Sequence, residues 1–121
     1  MWTLTKRFTF EAAHRLAYHD GKCARLHGHS WVGYIECCGV ELFERGSKTG
    51  MLIDYGDMSA ALEPIVDGQL DHHYLNETLN LESPTSEVIA QWLYNALKTK
   101  LPLLSAVTIE ETCTSRCEYR P

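Results

Sequence analysis

Hydrophobic and polar residues alternate over the first fourteen positions. Leu4, Phe8, Phe10, Ala12 and His14 share one parity; Thr3, Thr5, Arg7, Thr9 and Glu11 share the other. Period two with aromatic and β-branched residues predicts a strand over 2–14 with one apolar face. Lys6 breaks the apolar parity, so one end of that face is expected to be solvated. A second alternation over 27–38 sets Trp31, Ile35 and Cys37 on the face of His27 and His29. The polar stretch between the two, with Asp20-Gly21, reads as a loop, and Glu-Arg-Gly-Ser-Lys-Thr-Gly at 44–50 reads as turn material.

The period then becomes helical. Met58, Ala61, Leu62 and Ile65 share one face of a helix predicted over 56–66, with Pro64 placed to kink or shorten it. A second helix has clearer punctuation. Ser83 is the expected cap, Pro84 the first helical residue, and Glu87 lies near the positive end of the dipole. Val88, Ile89, Trp92, Leu93, Ala96 and Leu97 make its apolar face, and Pro102 ends it. Residues 106–113 and 116–120 form a closing hairpin. The order strand, strand, helix, helix, strand, strand predicts an α+β fold with a four-stranded antiparallel sheet and two helices. Such a sheet has two open edges, which favours self-association.

Composition narrows the function classes. A chain of 121 residues with 45% hydrophobic content makes one ordinary globular domain, 1–121. The net charge of −5, with acids and bases interspersed, offers no basic stripe for nucleic acid. No apolar run reaches membrane-spanning length, and the start lacks the basic-then-apolar pattern of a leader, so a soluble cytoplasmic protein is expected. Five cysteines, an odd number, argue against a disulfide framework. Cys37, Cys38, Cys113 and Cys117 read best as packing thiols.

The strongest chemical signal is Cys23-Ala-Arg-Leu-His27-Gly-His29. Histidines at i and i+2 on a strand project to one face and can meet one metal ion. His14 ends the preceding strand on its apolar parity, so a hairpin can bring it beside the pair. Three neutral imidazoles satisfy three zinc positions and leave a fourth open, the pattern of a catalytic site. Two ordinary strand histidines with an unrelated third is the competing reading. Cys23, flanked by Lys22 and Arg25, has three readings from sequence: a base or nucleophile beside the metal, a fourth metal ligand, or a loop thiol without a role. In Asp71-His72-His73, Asp71 can fix the tautomer of His72 and make it a general acid/base; the alternative is a plain polar loop. His73 has no assigned role, and His19 reads as a surface histidine. Glu111 has the parity of Val107 and Ile109, and a carboxylate on an apolar face needs a partner or a ligand. It suits a ligand with two adjacent N–H donors; a wet sheet edge is the alternative.

Together these pieces resemble the 6-pyruvoyl-tetrahydropterin synthase family. The matching segments are Phe8-Thr-Phe-Glu-Ala-Ala-His14, Cys23 through His29, Leu70-Asp71-His72-His73-Tyr74-Leu75-Asn76, Pro84-Thr-Ser-Glu87 and Glu111-Thr112, in the family's order along nearly the whole chain. The resemblance implies zinc on His14, His27 and His29, a catalytic triad of Cys23, Asp71 and His72, and Glu111 anchoring a pterin. It also implies the tunnelling fold, with trimers closing a barrel, two trimers stacking into a homohexamer, and active sites between subunits. Three residues separate Cys23 from His27. That spacing is similar to the bacterial branch that makes 6-carboxy-tetrahydropterin for queuosine, whereas the animal-type pyruvoyl branch has a longer one. The implied reaction turns 7,8-dihydroneopterin triphosphate and water into the carboxy product, acetaldehyde and triphosphate. Lys22 and Arg25 are positioned to meet the triphosphate; solvated loop charges are the alternative.

Overall fold

The computed structural model describes residues 1–121. Two long strands, β1 (Trp2–His14) and β2 (His27–Gly39), form the antiparallel hairpin that the alternation predicts. The polar segment between them carries one 3₁₀ turn, Lys22–Ala24. Helix α1 (Tyr55–Ile65) follows, then a two-residue strand β3 (His73–Tyr74) and a single-turn helix α2 (Leu75–Thr78). Helix α3 (Ser86–Lys98) and the hairpin of β4 (Leu104–Thr112) and β5 (Ser115–Tyr119) complete the chain.

The fold is α+β, but the sheet corrects the expected four antiparallel strands and two helices. It has five strands in the order β3-β1-β2-β4-β5 and contains three helices. The added strand is parallel: His73 and Tyr74 pair with Ala12 and Ala13 of β1. Two residues are too few to display a period, so only the tertiary pairing reveals them. The second predicted helix also begins later than Ser83-Pro84. Thr85 is its cap, accepting a hydrogen bond from the Val88 N–H at 3.2 Å. Pro84 stays outside, where its carbonyl has another partner described below. Helix α1 passes through Pro64 and gives way to a wider π turn at Val66–Leu70.

Parity decides the layers. Along β1 only Phe10, Ala12 and His14 are buried, and along β2 Trp31, Gly33, Ile35 and Cys37 are. Met58, Leu62 and Ile65 of α1 and Ile89, Leu93 and Leu97 of α3 pack on that face. The opposite sheet face, with Thr3, Thr5, Arg7, Thr9 and Glu11, is exposed. Burial pushes the Cys37 thiol up to about 11, which makes it an inert packing group as expected. Cys113 departs from expectation: it lies exposed in the turn between β4 and β5.

Gly33 pairs with Phe8 across the hairpin, and an added Cβ would come within 2.1 Å of the Phe8 ring. That ring stacks on Phe10, which stacks on Trp31 (centroids 6.0 and 5.7 Å apart), so it cannot yield freely. Gly33→Ala is expected to cost about 1–3 kcal/mol by overpacking. A denaturant titration reads this directly; an unchanged midpoint would show that Phe8 moves aside without loss.

Candidate metal centre

The hairpin register sets His14 opposite His27 and Ala12 opposite His29. All three imidazoles therefore project from the end of β1 and β2 on the helix-covered side. Their ring centroids lie 4.5 to 5.2 Å apart, each pair edge to face. Trp31 is the floor, 4.9 Å from His14 and 5.2 Å from His29, and its indole N–H donates to the Ala12 carbonyl at 3.1 Å. His14 is fully buried.

Backbone carbonyls set the tautomers. His14 Nδ1 lies 2.9 Å from the Pro84 carbonyl oxygen, and His27 Nδ1 lies 2.7 Å from that of Arg25. A carbonyl only accepts, so both Nδ1 atoms carry the proton and both Nε2 atoms present a bare lone pair in the neutral rings. The Nε2 atoms of His14, His27 and His29 are all buried without a hydrogen-bond partner. Glu111 joins them. Its Oε1 is 2.9 Å from His29 Nε2 and 3.4 Å from His14 Nε2, without the alignment of a hydrogen bond. Burial holds His14 below its ordinary pKa, and the neighbouring His27 and His29 add repulsion against the opposing pull of Pro84 and Glu111. Electron pairs converging on a common point repel unless a cation sits among them. The four donor atoms lie within 4.8 Å of one another, so this group can hold a metal ion, and its nitrogen-rich composition suits zinc. Cys23 is not a member of the group.

Glu111 reaches the cluster through strand register. The pairing of β2 with β4 sets Gly33 opposite Ile109 and Val32 opposite Glu110, so the parity of Ile109 and Glu111 falls on the face of Trp31 and His29. On its other side the pairing of β4 with β5 shifts between Glu110 and Thr112. The carbonyls of Pro84 and Arg25 were not foreseen from sequence, because a carbonyl belongs to every residue and carries no signal of its own.

Two of the remaining predicted residues, Cys23 and His72, line separate cavities. Cys23 lines one with Lys22, Arg25, His27 and His29. His72 lines another with Glu11, Ser30, His29 and His73. Gly28 and His29 are common to both. Asp71 is placed to orient His72: its Oδ2 is 2.9 Å from His72 Nδ1, while its Oδ1 accepts the Glu11 N–H at 2.8 Å. Those two contacts, the Glu11 N–H foremost, hold its carboxyl below the usual range. His72 adopts a left-handed backbone (φ 60°), pinned by its N–H bond to the Glu11 carbonyl, and its side chain is 79% exposed. A single chain thus brings Asp71 to His72 but leaves His72 in a different cavity from Cys23.

Comparison with known proteins shows the family of the chain. The family model described as 6-pyruvoyl tetrahydropterin synthase matches residues 3–121. The chain is 49% identical over 120 residues to the 6-carboxy-5,6,7,8-tetrahydropterin synthase of Synechocystis sp., covering 98% of this chain and 93% of that protein. The Haemophilus influenzae protein of the same name is 33% identical and is covered to 99%, as is this chain. Among solved structures, Caenorhabditis elegans 6-pyruvoyl tetrahydropterin synthase superposes with a TM-score of 0.84 at 28% identity, over 99% of this chain and 95% of that one. With a match along nearly its whole length, in sequence and in fold alike, the chain belongs to the 6-pyruvoyl tetrahydropterin synthase family.

Proposed function

We propose that this protein is a zinc-dependent lyase converting 7,8-dihydroneopterin triphosphate and water to 6-carboxy-5,6,7,8-tetrahydropterin, acetaldehyde and triphosphate, a step of queuosine biosynthesis. The observation that carries the reading is the convergence of three partnerless Nε2 atoms, with two of the histidines, His27 and His29, lining the cavity that also holds the Cys23 thiol. The Synechocystis relative supplies the product class.

His14, His27 and His29 would hold the zinc. When bound, it supplies Lewis acidity toward the substrate's side-chain hydroxyls. The protein's own groups do the rest. Cys23 takes a proton from the substrate side chain. His72, with its tautomer fixed by Asp71, gives and receives protons at Nε2 of its exposed side chain. Glu111 accepts two N–H bonds from the pterin, for which its carboxylate turns away from the histidines. Lys22 and Arg25 lie in the Cys23 cavity, where cations meet a polyphosphate.

The separation of Cys23 from Asp71–His72 supports a working unit of several chains, each site completed by a neighbour. So do the edges of the sheet. Most of β1 lacks an outer partner, since β3 covers only Ala12 and Ala13, and β5 is the other edge. Trp2, Val40, Phe43 and Tyr55 are large exposed apolar residues outside the metal-centre cavities. A homohexamer built as a dimer of trimers satisfies these features. Light scattering is expected to give six chains; a fully active monomer would refute shared sites.

Mass spectrometry of the products from dihydroneopterin triphosphate tests the reaction. The expected result is the carboxy product with acetaldehyde. A 6-pyruvoyl product, the activity in the name of the Caenorhabditis elegans neighbour, would move the chain to the other branch. No turnover would leave a zinc- and pterin-binding oligomer.

A further inference from the structure

The Cys23 turn has only a weak apolar anchor. No residue from 15 to 26 is fully buried; Leu16, Cys23 and Ala24 are half-buried. A segment with so little buried apolar surface depends largely on hydrogen bonds for its place. Beside the long Ala17 N–H bond to the Glu82 carbonyl at 3.4 Å, three of those bonds converge on one side chain outside the loop. Asn76 Oδ1 accepts the Arg15 N–H at 2.9 Å, and its Nδ2 donates to the carbonyls of Arg15 at 2.8 Å and Glu82 at 3.0 Å. Its carboxamide thus acts as one more rung of sheet for the residue directly after His14. Arg15 then passes the constraint on. Its Nε donates to the Ala24 carbonyl at 2.8 Å, and the next residue, Leu16, donates its N–H to the Cys23 carbonyl at 2.9 Å. The far end is tied too, since the Tyr18 hydroxyl donates to the Glu82 carboxylate.

We propose that Asn76 is a positioning residue that, through Arg15, fixes the Cys23 turn relative to the histidine cluster. This rests on the role given to Cys23 above. The segment 71–76 is laced to 11–15 at both ends: Asp71 and His72 bond the backbone of Glu11, and Asn76 bonds that of Arg15. One stretch of chain therefore carries the proton-relay pair and sets the place of the thiol. Neither Asn76 nor Arg15 touches the reacting atoms in this scheme.

Amide hydrogen exchange at Leu16 reads the docking of the turn without reference to catalysis. In Asn76→Ala that exchange is expected to accelerate by about 10-fold or more, while strand amides in β1 and β2 stay protected. Misplacing the thiol should lower kcat by about 10- to 100-fold. Zinc content and KM should stay near those of the parent. Asn76→Asp keeps the acceptor for the Arg15 N–H but turns an oxygen toward two carbonyls, so it should not rescue kcat. Arg15→Met keeps the stem and the Asn76 clamp but loses the bond to Ala24, and should fall between parent and Asn76→Ala. Unchanged Leu16 exchange in Asn76→Ala overturns the clamp. Faster exchange with unchanged kcat overturns its link to chemistry, and loss of zinc would mean that Asn76 acts through His14 instead. Should the parent itself not turn over, the lyase reading fails separately; the exchange, with the alkylation rate of Cys23 measured by peptide mass spectrometry, still decides whether Asn76 places the thiol.

Discussion

His27→Ala is expected to abolish zinc binding and turnover together. His27 contributes one of three converging Nε2 atoms, and its Nδ1 is already committed to the Arg25 carbonyl. No other nitrogen or sulfur ligand stands in the group to take its place. Loss of an outer hydrogen-bond partner of a ligand typically weakens metal affinity about 10- to 100-fold, and loss of the ligand itself should exceed that. His27 is a cleaner target than His14, which is fully buried and whose truncation would also leave a cavity. The fold should survive, because the layer of α1 and α3 on the sheet buries its core without help from the cluster. Elemental analysis should fall from one zinc per chain to none, with the circular dichroism of the parent retained. Stoichiometric zinc in the variant would sink the assignment.

Cys23→Ala and Glu111→Gln should fail in opposite ways. Cys23 stands outside the four-residue group, so its removal should leave zinc and pterin binding intact while kcat collapses. The thiol is proposed to act only on the proton in flight, and such groups contribute in the transition state rather than in ground-state binding. Glu111→Gln keeps size but replaces an acceptor with a donor. Against a pterin edge of two N–H groups, one hydrogen bond becomes a conflict, at a cost of about 1–3 kcal/mol, or roughly 5- to 150-fold in Kd. Calorimetric titration with a non-reactive pterin, with zinc measured on the same samples, separates the two. Zinc lost from Cys23→Ala would make the thiol a ligand. Zinc lost from Glu111→Gln would reassign that carboxylate, whose Oε1 lies 2.9 Å from His29 Nε2, from the pterin to the metal. Unaltered pterin affinity would place the anchor elsewhere.

What could be read in the chain beforehand follows from steric rules that act over a few residues. A strand sends alternate side chains to opposite faces wherever it lies, so His27 and His29 had to share a face with Trp31, and His14 with Phe10. One hairpin then sufficed to join the three histidines. The same reasoning found α1 and the apolar face of α3, because a period of 3.6 is also local. Where bonding options compete, tertiary structure decided. Ser83 and Thr85 are both able to cap a helix, and Thr85 caps α3, leaving the Pro84 carbonyl to His14. His73 and Tyr74 carry no periodic signal and became a strand only by meeting β1 in parallel. Glu111 came to the histidines through the register in which β4 pairs with β2, Ile109 opposite Gly33. The separation of Cys23 from Asp71–His72 likewise depends on where a loop and an edge strand dock. Side-chain direction within an element follows from the chain's own geometry, whereas the partner of a carbonyl, carboxylate or thiol depends on which distant segment satisfies it first, and only the folded chain makes that choice.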